Sequence, residues 1–283
     1  MQPTAGLGFK PQHFDAAIAC PADGLWFEVH PENYMVAGGP RLAMLEALRA
    51  ARPMSLHGVG MSLAADAPPD VDHLARFAAL VARFEPALVS EHLAWSAWRG
   101  GYAPDLLPFP RTRAALARIC DNVARVQDAI GRTLLIENPA LYMPLAGHEI
   151  DEIELLTTLC ARTGCGLLAD VNNVHVCANN LGFDAGAYID ALPAAAIGEI
   201  HLAGHSADPQ RGTALLIDSH DAPVAAPVWA LYARLIARIG PRPTLIERDD
   251  NLPAFEVLLA ERDHAQALLA AAAPLAAPVM AHG

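Results

Sequence analysis

Residues 164–176 read GCGLLADVNNVHV, an apolar run that ends in a carboxylate and two amides. It assigns Gly166–Val174 to a β-strand whose polar residues gather at the C-terminal end. Working outward, the same design recurs on both sides. LLIEN precedes it, with Thr133–Asn138 as the strand, and EIHLAGH follows it, with Ile197–Ala203 as the strand. Gly6–Lys10, Leu25–His30, Met54–Val59, Leu88–Trp95 and Thr244–Arg248 complete the strand candidates. Between them lie segments of helical spacing, most clearly Val71–Phe84, Arg111–Ile130, Glu149–Arg162, Pro227–Ile239 and Ala254–Leu269. Strands alternating with helices imply parallel pairing through right-handed crossovers. With no Gly/Ser linker and no repeat of fixed period, the pattern predicts an α/β fold, a single (β/α)8 TIM barrel over residues 1–270. An Ala/Pro-rich tail, 271–283, is expected to be frayed or extended.

Composition agrees. The 283 residues are 53% hydrophobic and 18% charged, which suits a large core. A formal net charge of -12 argues against a non-specific nucleic-acid binder, which needs a Lys/Arg surplus. The five cysteines (Cys20, Cys120, Cys160, Cys165, Cys177) form no CxxC and no even framework, as expected of free thiols in a reducing compartment. The N-terminus lacks an apolar signal core and no run is long enough to span a membrane. A cytoplasmic location without membrane or nucleic-acid partners is expected.

The polar strand ends carry the chemistry. Barrel active sites are built at the C-terminal strand ends and the loops after them. Taken in order, those ends present His57, His92, Glu137, Asp170, His201 and Glu247, and LLIDSHD adds Asp218 and His220 in the connection after the seventh strand. One rim histidine is usually an ordinary hydrogen-bonded residue. The same pattern at most strands points to metal. Nitrogen and oxygen donors without thiolate suit iron, manganese or zinc, and eight such residues exceed the needs of one ion. Two or three ions are implied, bridged by a carboxylate such as Glu137 or Asp170. The bland alternative for Glu137 and Asp170 is a structural salt bridge, for which only 19 Lys and Arg exist. His73, His148, His264 and His282 are expected on helices or the tail as surface residues. His30 and His205 lie nearer the rim, in reach of substrate or of a ligand side chain, as do Glu28 and Asn33.

The runs FEVHPENYM (Phe27–Met35), SLHGVGMSL (Ser55–Leu63), VSEHLAWS (Val89–Ser96), LLIENP (Leu134–Pro139), GCGLLADVNNVHV, EIHLAGH, IDSHD (Ile217–Asp221) and LIERD (Leu245–Asp249) resemble the multinuclear non-heme iron-dependent oxidative enzymes. The resemblance covers residues 6 to 260. It implies a xylose-isomerase-like barrel with two or three Fe ions, O2 as co-substrate, and oxidative modification of cysteine in a ribosomally made precursor peptide. It also implies a small partner protein that presents the leader. Products within the family include thiooxazoles and an oxazolone with a thioamide, and the nearest likeness is to enzymes of copper-binding-peptide maturation. The ligand order is also similar to endonuclease IV, a three-zinc barrel. Where that enzyme has a third-metal histidine, this sequence has Asn173, a weaker donor. Asp221, next to His220, is the candidate base for cyclisation, with hydrogen bonding to a ligand imidazole as its alternative role. Competing functions are an endonuclease IV-like hydrolase, a sugar isomerase or epimerase, and a non-catalytic metal-binding protein.

Overall fold

The computed structural model describes residues 3–272. The rest of the tail, including His282, lies outside the described residues. Eight parallel strands close into a barrel: β1 (Ala5–Gly8), β2 (Phe27–Val29), β3 (Met54–Gly58), β4 (Leu88–His92), β7 (Leu135–Glu137), β8 (Gly166–Asp170), β9 (Ile197–Ala203) and β12 (Thr244–Glu247). Two antiparallel hairpins interrupt the alternation, β5 (Trp95–Trp98) with β6 (Gly101–Leu107) and β10 (Ser206–Asp208) with β11 (Gly212–Ile217). The helices are α1 (Phe14–Ala19), α2 (Pro40–Ala51), α3 (Val71–Phe84), α4 (Arg113–Ile130), α5 (Glu152–Thr163), α6 (Val171–Leu181), α7 (Ala185–Ala191), α8 (Ala226–Ile239) and α9 (Phe255–Ala271). No helix among the described residues is long and apolar enough to cross a membrane.

The expected eight strands are all present, each in its place. Two boundaries differ for identifiable reasons. The run 166–174 is not strand throughout: Asp170 ends β8 and caps α6, its carboxylate accepting the Asn173 backbone N–H at 2.6 Å. β4 stops at His92, and Trp95 opens the first hairpin instead of closing the barrel strand. Capping also sets helix starts, with Thr112 and Asp151 accepting from Ala115 and Glu154 at α4 and α5.

Successive side chains of a strand point to opposite faces. In β9, Ile200 and Leu202 join the apolar layer around the barrel, while Glu199 and His201 share the other face. Register then brings strand ends level: His92 pairs with Glu137, and Asp170 with His201. Outside the barrel wall, Phe77, Leu80, Val123, Leu155, Val228 and Leu258 join the core from α3, α4, α5, α8 and α9. A continuous apolar shell thus surrounds a polar axis, and that axis opens at the C-terminal rim.

Candidate metal centre

Three strand ends bring together His57, His92 and Glu137. One carboxylate oxygen of Glu137, Oε2, stands 3.2 Å from His57 Nε2 and 3.1 Å from His92 Nε2. The two imidazole nitrogens are themselves 3.3 Å apart. Protein groups fix the far side of each ring. His92 Nδ1 donates to the Gly58 carbonyl at 3.0 Å, and His57 Nδ1 meets Ser90 Oγ at 2.8 Å. With Nδ1 engaged by a carbonyl, neutral His92 presents a bare lone pair at Nε2, the usual arrangement of a metal-binding imidazole.

A second group adjoins the first. His201 Nδ1 is 3.2 Å from Glu247 Oε2, and His201 Nε2 is 3.1 Å from Glu28 Oε1. Asp170, His220 and Glu247 each offer a donor atom to one common point, as do His57, Glu137 and His201. His220 Nε2 meets Asp218 at 2.9 Å. All eight residues read from the sequence as ligands therefore converge at the rim. Asn173 joins them, donating Nδ2 to Glu137 Oε1 at 3.1 Å and to the Asn138 carbonyl at 3.0 Å.

The expected surface and secondary positions sort differently. Glu28 Oε2 accepts from Ser55 at 2.6 Å beneath His201. His30 donates Nδ1 to the His57 carbonyl at 3.2 Å and, with Asn33, lines a cavity of about 170 Å3 beside Glu247. His205 Nδ1 lies 2.8 Å from Asn172 Oδ1, and Asn172 donates onward to Asp218 at 2.6 Å. Asp221 accepts from Ser219 at 2.5 Å and from Asn251 at 3.4 Å, and contacts no imidazole. Besides Asp218, the carboxylates against the His220 ring are Asp249, 3.3 Å from Nδ1, and Glu247, 3.5 Å from it. Asp249, from just past the end of β12, thus also braces the His220 ring, and His220 itself has a left-handed backbone (φ 50°). His73 is half-buried against Glu32 at 3.3 Å instead of free on the surface, and His148 sits in a loop.

Sequence reasoning missed Ser55, Ser90, Glu199, Asn172 and Asp249. The first three carried a signal. SLH, SEH and EIH place each two residues before a rim histidine, hence on the same face and one level deeper.

Electrostatics show what this arrangement lacks. Glu28, Glu137, Asp170, Glu199, His201 and Glu247 are buried. Among the described residues no Lys or Arg pairs with any of these carboxylates. Burial opposes ionisation of Glu137, but the imidazoles of His92, His57 and His201 outweigh it and lower its pKa to about 2. Burial, with the charges of Glu137 and Asp218, pushes Asp170 well above the carboxylate range. Burial and Glu28 do the same to Glu199. Burial opposes charging of His201, yet Glu28 and Glu247 hold it protonated well above neutrality. Glu137 Oε2, Asp170 Oδ2, Asn173 Oδ1, both oxygens of Glu199 and both ring nitrogens of His201 have no hydrogen-bond partner. Buried polar atoms left without partners are costly. Close contacts that fail as hydrogen bonds, all aimed at common points, are what a cation between them would satisfy. The residues fit a metal cluster.

A closed parallel barrel whose rim gathers histidines and carboxylates defines a TIM barrel with a candidate metal site. The family model described as RiPP precursor modification enzyme MbnB/TglH/ChrH matches residues 4–270, and the chain belongs to that family. It is 69% identical over 270 residues to a UPF0276 protein of Caulobacter vibrioides, covering 95% of this chain and 96% of the relative. A UPF0276 protein of Bordetella bronchiseptica is 51% identical over 274 residues, covering 96% and 95%. Among solved structures, D-psicose 3-epimerase from Clostridium cellulolyticum superposes with TM-score 0.61 at 11% identity, covering 96% of this chain and 100% of that one. Endonuclease IV from Thermus thermophilus gives TM-score 0.57 at 18% identity, covering 95% and 99%. These two likenesses carry the barrel fold alone.

Proposed function

We propose that the protein is an iron-dependent oxidase that uses O2 to modify cysteine residues of a ribosomally made precursor peptide, yielding a thiooxazole or an oxazolone with a thioamide. The observation that carries it is Glu137 Oε2, buried without a hydrogen bond between the Nε2 atoms of His57 and His92. His57, His92 and Glu137 would hold one ion. Asp170, His220 and Glu247 would hold a second, with Glu137 as the proposed shared carboxylate. Asp218, with the orphaned Oδ1 of Asn173, would form a weaker third set. Iron bound there supplies a Lewis acid for the substrate thiolate and a redox partner for O2.

The chain's own residues do the rest. Gly58 and Ser90 fix the rings of His92 and His57, and Glu28 sits against His201, so the donors are set before any metal arrives. Asp249 holds His220, and Asn172 ties Asp218 to His205, so the outer donors are braced from both sides. The rim cavities admit a peptide side chain while the apolar shell keeps bulk water from the axis. Asp221 is the carboxylate proposed to take the amide proton that cyclisation releases.

The test is mass spectrometry of the precursor peptide after incubation with iron-loaded protein and its small leader-binding partner, with and without O2. The expected product is lighter by hydrogen alone, only when O2 is present, with O2 leaving as water. A change independent of O2 would indicate a hydrolase or isomerase; an unchanged peptide would leave a metal-binding role without catalysis.

A further inference from the structure

Of ten large apolar side chains exposed among the described residues, five fall in two neighbouring loops: Trp98, Tyr102 and Leu106 on hairpin β5–β6, and Tyr142 and Met143 after β7. Tyr102 is 71% exposed and Met143 62%. Scattered apolar surface needs no explanation, but a cluster marks a binding surface. This cluster borders a cavity of about 150 Å3 whose walls include Leu106 and Tyr142 on one side and His92, Asn173 and Asp218 of the metal centre on the other. The hairpin does not hang free. Trp95 donates Nε1 to the Pro108 carbonyl at 2.7 Å, and Ser62 Oγ accepts the Ser96 and Ala97 backbone N–H groups at 2.8 and 3.1 Å. A braced ribbon thus sets Leu106 in the cavity wall and carries the exposed rings of Trp98 and Tyr102 further along the same hairpin.

From this geometry we infer that hairpin β5–β6 and the Tyr142–Met143 loop dock the precursor segment flanking the modified residue, and select an apolar or aromatic side chain there. The inference rests on the peptide-substrate reading above. The cavity has room for one large side chain, not for a folded partner, and it is continuous with the metal centre. A residue that reaches the metal centre through this cavity passes its neighbours along Leu106 and Tyr142. At about 3.3 Å per extended residue, the selected side chain lies within about three residues of the reacting one. A second cavity, beside Glu247, has the charged groups Lys10, His30, Arg41 and Asp249 in its wall together with Phe9 and Leu245.

The experiment uses a short synthetic peptide with one cysteine and a photoreactive benzoylphenylalanine two residues away, irradiated on the iron-loaded full chain. Peptide mapping should place the crosslinks within residues 98–107 and 142–143. In the double variant Tyr102→Ser, Leu106→Ser, labelling should fall roughly tenfold, about the loss of two apolar contacts. Its metal content should be unchanged, and KM for the precursor should rise more than kcat falls. Crosslinks concentrated around Lys10 and Arg41, with oxidation intact, would overturn this inference and leave the peptide-oxidase reading standing. No crosslinks and no oxidation of the precursor would overturn both. Dimers that the double variant dissociates, with labelling undiminished, would assign the patch to a second copy of the chain and overturn the docking role.

Discussion

Asn173 donates its side-chain amide to one carboxylate oxygen of Glu137 at 3.1 Å and thereby leaves the other oxygen facing His57 and His92. The amide is anchored by a second bond to the Asn138 carbonyl, and its own Oδ1 is unpaired. A single residue thus positions the carboxylate proposed as the bridge and offers a weak donor of its own. Asn173→Ala removes the brace without adding charge. Metal affinity at the His57/His92/Glu137 set should fall roughly 10- to 100-fold, the usual cost of losing a partner that orients a ligand. Competition with a chelator of known affinity measures it, with circular dichroism confirming the fold.

Glu137→Gln should be the most damaging single substitution at the site. The size is kept, but two cations lose their shared anion in a low-dielectric interior. The wild-type protein is expected to hold at least two ions per chain and the variant at least one fewer, with turnover lost and the barrel intact. Elemental analysis after anaerobic iron loading decides this. Normal content and activity in the variant would move the bridge to Asp170.

Metal removal should make stability fall with rising pH. Burial raises the pKa of Asp170 in the folded chain, so above the ordinary carboxylate range the folded state resists an ionisation that the unfolded chain undergoes freely. Burial opposes protonation of His30, but Asp249 and Glu247 outweigh it and raise its pKa to about 9. A raised histidine contributes stability that is complete below its unfolded pKa of 6.5 and lost as pH climbs toward 9. Both shifts have the same sign. The Tm of chelator-treated protein should drop between pH 6.5 and 9, while metal-loaded protein changes less because the cations carry the countercharge. Parallel slopes for the two forms would show that the cluster is not what neutralises these groups.

The barrel was legible because its polar residues sit at one end of each apolar strand, and that asymmetry survives in a bare sequence. The eight histidines and carboxylates followed from it. The hairpins were not legible. β6 reads GYAPDLL, exposed on both faces and interrupted by a proline, so it has no period-two pattern to detect. The end of β8 was lost because one residue serves two roles. Asp170 closes an apolar strand and caps the helix that follows, and the apolar residues beyond it prolong the apparent strand. Asp249 beside His220 was not legible because it comes from a distant strand end, and the left-handed turn at His220 is not one that histidine announces.

That turn yields the last prediction. His220 adopts a left-handed backbone, uncommon for a residue with a side chain, and hydrogen bonds hold it there. Its N–H donates to the Gly204 carbonyl at 3.1 Å, and its own carbonyl accepts from the N–H of Asp249 at 2.9 Å. Gly204 permits this close approach, because a Cβ built there would stand 1.9 Å from the Ala222 carbonyl oxygen and 2.4 Å from its carbon. Backbone cannot rotate aside as a long side chain can. Gly204→Ala must therefore push the connection carrying Asp218 and His220 away from β9. His57, His92 and Glu137 lie on strands β3, β4 and β7 and do not depend on that connection. The variant should keep its barrel and its first ion, lose the ion that needs His220, and lose oxidation of the precursor. Metal stoichiometry compared with Glu137→Gln separates the two effects, since the glutamine variant damages the shared bridge and the alanine variant only the outer set. Full stoichiometry with normal turnover in Gly204→Ala would show that His220 holds no ion the reaction needs.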